Sequence, residues 1–284
     1  MVPFTIVSSG PPNLPQLAGY YSQLAGVLAG FSFAGLVALV TARRGIDDVE
    51  VPIRHSVAPL TSAFIALVAS SLDYAIVTGE LAGTPRVASL QTIAGMGFSI
   101  AGIMLVFSIL VLLSDLRHHV GSAAIQLLGN TSVLILPPLL VMLMWGGLRD
   151  HLGQKYGAYS EFVLADWIAL GVFGVTLVAV VGFRVRSFRS FRPSSDLGRQ
   201  AAVLANAAAL LAFLSLAGST ILITFTTAET TISDAVPISA LVLVAVFCVA
   251  TAYSASHYQS SPHVPLGPTS HDSPPDPAGA KVPS

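Results

Sequence analysis

Apolar residues run along this chain in seven long blocks, about 17–41, 58–79, 87–114, 122–147, 162–183, 200–224 and 235–257. Polar and charged residues gather between the blocks. Each block reaches the ~20 residues that a helix needs to cross a bilayer. The blocks are continuously apolar and do not alternate with period two, which excludes the strands of a membrane barrel. Helices satisfy their own backbone hydrogen bonds in lipid. The pattern therefore predicts an all-α integral membrane protein, a bundle of seven transmembrane helices over 17–257. A short segment, 1–16, precedes it and a tail, 258–284, follows.

Within the blocks, small residues recur. In the first, Ala18, Ser22, Gly26, Gly30, Ala34 and Ala38 return every fourth position, and Gly26 with Gly30 forms a GxxxG pair. Small residues let helix backbones approach closely in lipid. Four residues turn a helix by ~400°, so the row drifts about 40° per step and winds around the helix. The hexapeptide Gly30-Phe31-Ser32-Phe33-Ala34-Gly35 has a near-copy at Gly97-Phe98-Ser99-Ile100-Ala101-Gly102, and Ser215-Leu216-Ala217-Gly218 echoes it. Gly26, Gly30, Ser32, Ala34, Gly97, Ser99 and Gly102 are expected to pack against neighbouring helices. If Gly26, Gly30 and Ala34 face lipid instead, the groove serves an oligomer or a partner. The first and third helices run in the same direction, so the two patches fit a duplicated helix pair; biased composition explains them equally well.

Composition supports the membrane class. Of 284 residues, 54% are hydrophobic and 10% charged, against about 25% charge in soluble domains. Mean hydropathy is +0.77. A net charge of -1 offers no case for nucleic-acid binding. The single cysteine, Cys248, excludes an intramolecular disulfide and a paired-cysteine zinc site. Eleven arginines against two lysines, among many Ala, Gly and Val, suggest a high-GC bacterial source. The first 16 residues carry no Lys or Arg, so the first block reads as a retained helix and not as a signal peptide.

The connections set an expected orientation. Odd-numbered loops and the tail hold Arg43, Arg44, Arg54, Arg117, Arg184, Arg186, Arg189, Arg192, Arg199 and Lys281, while the other side holds Arg86, Arg149 and Lys155. Positive charge stays on the cytoplasmic side. The N-terminus is thus expected outside a bacterial cytoplasmic membrane and the C-terminus inside. Arg184, Arg186, Arg189 and Arg192, with interleaved phenylalanines, suit anionic lipids of the inner leaflet at ~1 kcal/mol per basic residue; the plainer role is a topology determinant. The tail, rich in Pro, Ser and Gly, is expected to be disordered. Asp47, Asp48, Glu50 and His55, and beyond them Asp115, His118 and His119, match no metal-ligand spacing, so no metal or other cofactor is expected.

Candidate chemistry is sparse. Asp73 and Asp166 alone fall well inside predicted helices, and intramembrane carboxylates are functional candidates. Both lie toward the outer face, where Arg86, Arg149 and Lys155 can pair with them. With Gln91 they make a candidate polar site. Pro137-Pro138 removes two backbone donors from the fourth helix and frees the carbonyls near Val133 and Leu134; Asn130, Thr131 and Ser132 are placed to satisfy them. Both hexapeptides fit G-x-S-x-[G/A], but a hydrolase elbow needs a strand-to-helix turn and a base. No histidine falls in a predicted helix core, and His257 stands at the end of the seventh. No catalytic residues are expected. Three classes remain, in order: a non-enzymatic interaction, scaffold or sensor subunit; a transporter or channel using Asp73 and Asp166; and an intramembrane enzyme.

Overall fold

The computed structural model describes residues 13–44, 54–116, 121–157, 162–189 and 197–259, and every regular element in them is helical. The elements are α1 (Leu14–Arg44), α2 (Arg54–Thr78), α3 (Pro85–Asp115), α4 (Ser122–Asn130), α5 (Leu136–Tyr156), α6 (Leu164–Arg189), α7 (Leu197–Phe225) and α8 (Ala235–Gln259). A π-helical turn, Thr131–Ile135, joins α4 to α5 without a break. Seven stretches are thus long and apolar enough to cross a membrane, α4 and α5 forming one of them.

The π turn has a local cause. Proline at 137 and 138 cannot donate to carbonyls four residues back, and the ladder widens just before it, with Leu136 N–H donating to Thr131 O. The freed groups do not recruit all of the expected side chains. Thr131 Oγ1 donates to Leu127 O at 3.0 Å, while Ser132 Oγ and Asn130 Oδ1 are buried without a hydrogen-bond partner among the described residues. The fourth span also continues past its expected end at 147, through Arg149, Asp150, His151 and Lys155, to Tyr156. There Gly157, at φ 69°, takes the left-handed conformation and donates to Gly153 O at 2.9 Å.

α3 is the axis of the bundle. It packs against α1, α2, α5, α7 and α8, and 67% of its most apolar stretch is buried, against 22% for α1 and 17% for α6. Ile100, Ile103, Met104 and Phe107 of α3 meet Val141 and Met144 of α5, Leu241 and Val244 of α8, and Ala205 and Ala208 of α7. The alanines let α7 lie close. Among the described residues, α1 touches α2 and α3 alone, and α6 touches α8 and the α4–α5 span.

The buried line on α1 is Leu14, Ala18, Ala25, Ala29, Ser32 and Leu39. Its steps of three, four and seven follow the 3.5-residue seam of a left-handed helix pair, not the four-residue row. Midway, Ser22 and Ser71 clasp α1 to α2, each hydroxyl donating to the other's carbonyl at 2.9 Å. The four-residue row therefore leaves the seam as it drifts, and Gly26, Gly30, Ala34 and Ala38 are exposed. The expectation that this row is buried within the chain is corrected here. A Cβ at Gly26 would lie 3.6 Å from Ser71 Oγ, at the seam's edge, and one at Gly30 would meet nothing within 4 Å.

Of the expectations for the ends and loops, residues 1–12, 45–53, 117–120, 190–196 and 260–284 lie outside the described residues. The 1–16 and 258–284 segments, Asp47, Asp48, Glu50, His118, His119 and Arg192 thus fall wholly or mostly there. Arg184, Arg186 and Arg189 lie on the last turns of α6.

Candidate functional site

Toward the end carrying the α2–α3 and α7–α8 connections, the described residues form three polar sites. The first surrounds Asp73 of α2, which is 1% exposed. Ser215 of α7 approaches it, with Oγ 2.6 Å from Asp73 Oδ2 and 2.7 Å from the Ile93 carbonyl of α3. A hydroxyl has one hydrogen. Ser215 therefore divides that hydrogen between the carboxyl of α2 and the carbonyl of α3. Asp73 Oδ1 and the nearby buried Ser219 Oγ have no hydrogen-bond partner among the described residues. Gly97 makes the junction: a Cβ there would lie 3.0 Å from Ser215 Oγ, 3.2 Å from Ser215 Cβ and 3.4 Å from Ser70 Oγ. The absence of a side chain at Gly97 lets α7 lie close enough for its serine to reach a carboxyl on α2.

The second site is a cleft of about 260 Å³ between α1, α2, α3 and α5. Tyr21, Tyr74 and Phe98 form an aromatic cluster on its wall, with ring centroids 5.2, 5.7 and 5.9 Å apart. Gln91, Ser99 and Asp150 also line it. Gln91 Oε1 is buried and has no hydrogen-bond partner among the described residues. Successive helical residues are turned by ~100°, so Gln91 faces this cleft while Ile93 and Gly97 face α7. Gln91 and Asp73 thus flank α3 on different sides, although Tyr74, next to Asp73, reaches the cleft.

The third comprises ionic clasps. Asp166, 2% exposed in the first turn of α6, accepts from Trp145 Nε1 at 2.8 Å and from its own Val163 N–H at 3.2 Å, and Arg149 Nε lies 3.4 Å away. Arg149 also stacks on Phe162, 5.2 Å from the ring centre. The Trp145 and Arg149 contacts fasten the start of α6 to α5, and the Val163 contact caps α6 itself. Of the other cations expected to serve the two aspartates, Arg86 holds Glu80 at 2.7 Å and Thr226 O at 2.6 Å. Lys155 holds Asp234 at 2.7 Å. Asp234 also accepts from Tyr156 at 2.8 Å. Its partial burial works to raise its pKa, but the bonds from Lys155 and Tyr156 outweigh burial and hold the carboxyl below the usual range.

α2 and α6 share no contact, so Asp73 and Asp166 stand in separate sites. The sequence also missed a buried histidine. His151, 2% exposed inside α5, has Nδ1 3.3 Å from Ser89 Oγ and Nε2 3.5 Å from Asp234 Oδ1. Hydroxyl, imidazole and carboxylate stand in line, as in acyl-transfer enzymes. Ser89 is fully buried, its hydroxyl donates to Pro85 O at 3.1 Å, and it lines no part of the cleft. The trio ties α3, α5 and the α7–α8 loop together. Ser32, in the other serine motif, is buried and donates to Leu28 O at 3.0 Å. Among the described residues, no three His, Cys, Asp or Glu side chains are grouped to hold a metal.

No protein-family model matches this chain, and neither does a curated protein or a solved structure.

Proposed function

We propose that the protein is a multi-pass component of a bacterial cytoplasmic membrane, N-terminus outside, that acts as a non-enzymatic interaction, scaffold or sensor subunit. The observation that supports this is the uncovered row Gly26, Gly30 and Ala34 on α1. Such a row allows a second helix to approach closely, and α1 leaves it free by packing through its opposite seam. The partner proposed is a second copy of the chain, α1 against α1. Paired cysteines placed at Gly30 should cross-link copies in native membranes, and Gly30→Leu should abolish a dimer in mild detergent. A monomer unaffected by either change overturns the reading.

Orientation rests on the distribution of Arg and Lys. Labelling of a cysteine at 188 from outside intact cells would reverse it. Arg184, Arg186, Arg189 and Arg192 are proposed to contact anionic lipid on the inner face.

A second reading, passage or binding of a small solute, draws on the cleft with its unpartnered Gln91. It does not draw on a shared Asp73–Asp166 site, because those residues lie on helices that do not touch.

A further inference from the structure

The cleft between α1, α2, α3 and α5 presents one unusual combination. Asp150 lies on its wall, half-buried, and makes no hydrogen bond or ion pair among the described residues. The nearby cations are committed elsewhere, Arg149 to Asp166 and Lys155 to Asp234. On the α3 side, the buried Gln91 Oε1 is also without a donor. Asp150 is six residues from the end of α5 and Gln91 six from the start of α3, so both stand ~9 Å in from the same end of the bundle. The rest of the wall includes the aromatic rings of Tyr21, Tyr74 and Phe98 and the thioethers of Met142 and Met144, with the hydroxyls of Thr92 and Ser99.

These features select a ligand chemistry. No Lys, Arg or His lines the cleft, so an anion would find no opposite charge there and would be repelled by Asp150. An acyl chain would leave two oxygen acceptors in apolar surroundings without donors, which is costly. Calcium sites draw on carboxylates for much of their six to eight oxygens, and Asp150 is the one carboxylate among the lining residues. A primary ammonium meets every requirement. Its charge pairs with Asp150, an N–H donates to Gln91, and aromatic faces attract the cation. The volume, about 260 Å³, lies just under the ~300–1,000 Å³ of ordinary ligand pockets and suits a small molecule.

We propose that this cleft binds a primary ammonium group attached to a small apolar body, with Asp150 as its counter-ion and Gln91 as its hydrogen-bond acceptor. The ammonium has two sources: a free amine, or the ethanolamine headgroup of a membrane lipid. The site is independent of the α1 row, so a monomeric protein leaves it intact.

The test uses the full chain. In amine-free detergent, 2-phenylethylamine should raise the melting temperature saturably, and 2-phenylethanol, its uncharged counterpart, should not. Asp150→Asn, which keeps the shape, should weaken the amine at least tenfold. Gln91→Leu should weaken it by a smaller factor and serves if the first variant does not fold. In nanodiscs, replacing phosphatidylcholine by phosphatidylethanolamine distinguishes the sources. A lipid ligand raises the wild-type melting temperature and weakens the free amine, with neither effect in Asp150→Asn. A solute leaves both lipids equivalent and retains amine binding. Amine and alcohol acting alike, or wild-type amine affinity in the folded variants, overturns the proposal.

Discussion

Gly30 and Gly97 open near-identical hexapeptides in two apolar helices, yet one meets no neighbour and the other sits against a serine hydroxyl. Ser32 and Ser99 follow them at the same spacing, both buried. The difference comes from the rank of the two helices in the bundle. α3 is surrounded, so whichever face Gly97 occupies meets another helix. α1 is peripheral, and its seam with α2 runs through Ala18, Ala25, Ala29 and Ser32. A local motif sets how closely two helices can approach; the helix's place in the bundle decides whether a second helix is there.

This comparison breaks most visibly under a change of size. Gly97→Leu drives a side chain into Ser215 and Ser70, where overpacking costs about 1–3 kcal/mol and occasionally more. We expect loss of the folded state in detergent unfolding. Gly30→Leu should shift stability by less than about 0.5 kcal/mol, as surface changes usually do. Equal effects would refute the difference in rank.

Next in size is Asp73→Ala. It removes the carboxyl from the Ser215 hydroxyl and leaves a gap beside it, at about 1–3 kcal/mol for the lost buried partner. Asp73→Asn, which still offers an oxygen and a donor, should recover most of this in the same assay. On the α1 side, Ser22→Ala removes half of the reciprocal clasp with Ser71 and should cost about 1 kcal/mol, whereas Ala34→Ser, on the exposed row, should be silent. A large loss at Ala34 would mean that the seam had been misassigned.

The smallest effect lies away from both patches. Because Asp234 titrates below its ordinary 3.8 in the folded chain, its bonds add stability above that value, and the contribution fades as pH falls through the lower, folded value. The melting-temperature gap between wild type and Asp234→Asn should therefore be constant near neutrality and close below about pH 4.

Hydropathy alone revealed the seven helices, since each apolar block is long enough to be seen without its neighbours. The end of α5 was hidden for the opposite reason. Arg149, Asp150, His151 and Lys155 look like loop residues in one dimension, yet His151 is sealed between Ser89 and Asp234, and Arg149 and Lys155 have carboxylate partners. Those partners lie on α6 and in the α7–α8 loop, beyond any local window. Asp73 and Asp166 were both legible as rare carboxylates, but not their division of labour: Trp145 and Arg149 make Asp166 a fastening, whereas Asp73 bonds the Ser215 hydroxyl. The π turn was foreshadowed by Pro137-Pro138. The α1 seam was not, because alanines and serines at 3.5-residue spacing are masked by the more conspicuous four-residue row.

The contact between Asp73 and Ser215 spans 142 residues, and this imposes an order on assembly. A chain emerging from its N-terminus brings α1 and α2 together early through the Ser22–Ser71 clasp, and α3 follows. Throughout that time Asp73 has neither Ser215 nor Ser219 beside it, for both arrive with α7. The half-made bundle carries an unsheltered carboxyl, a mark by which an unfinished chain differs from a finished one. Truncation before α7 should leave a protein that is inserted but short-lived.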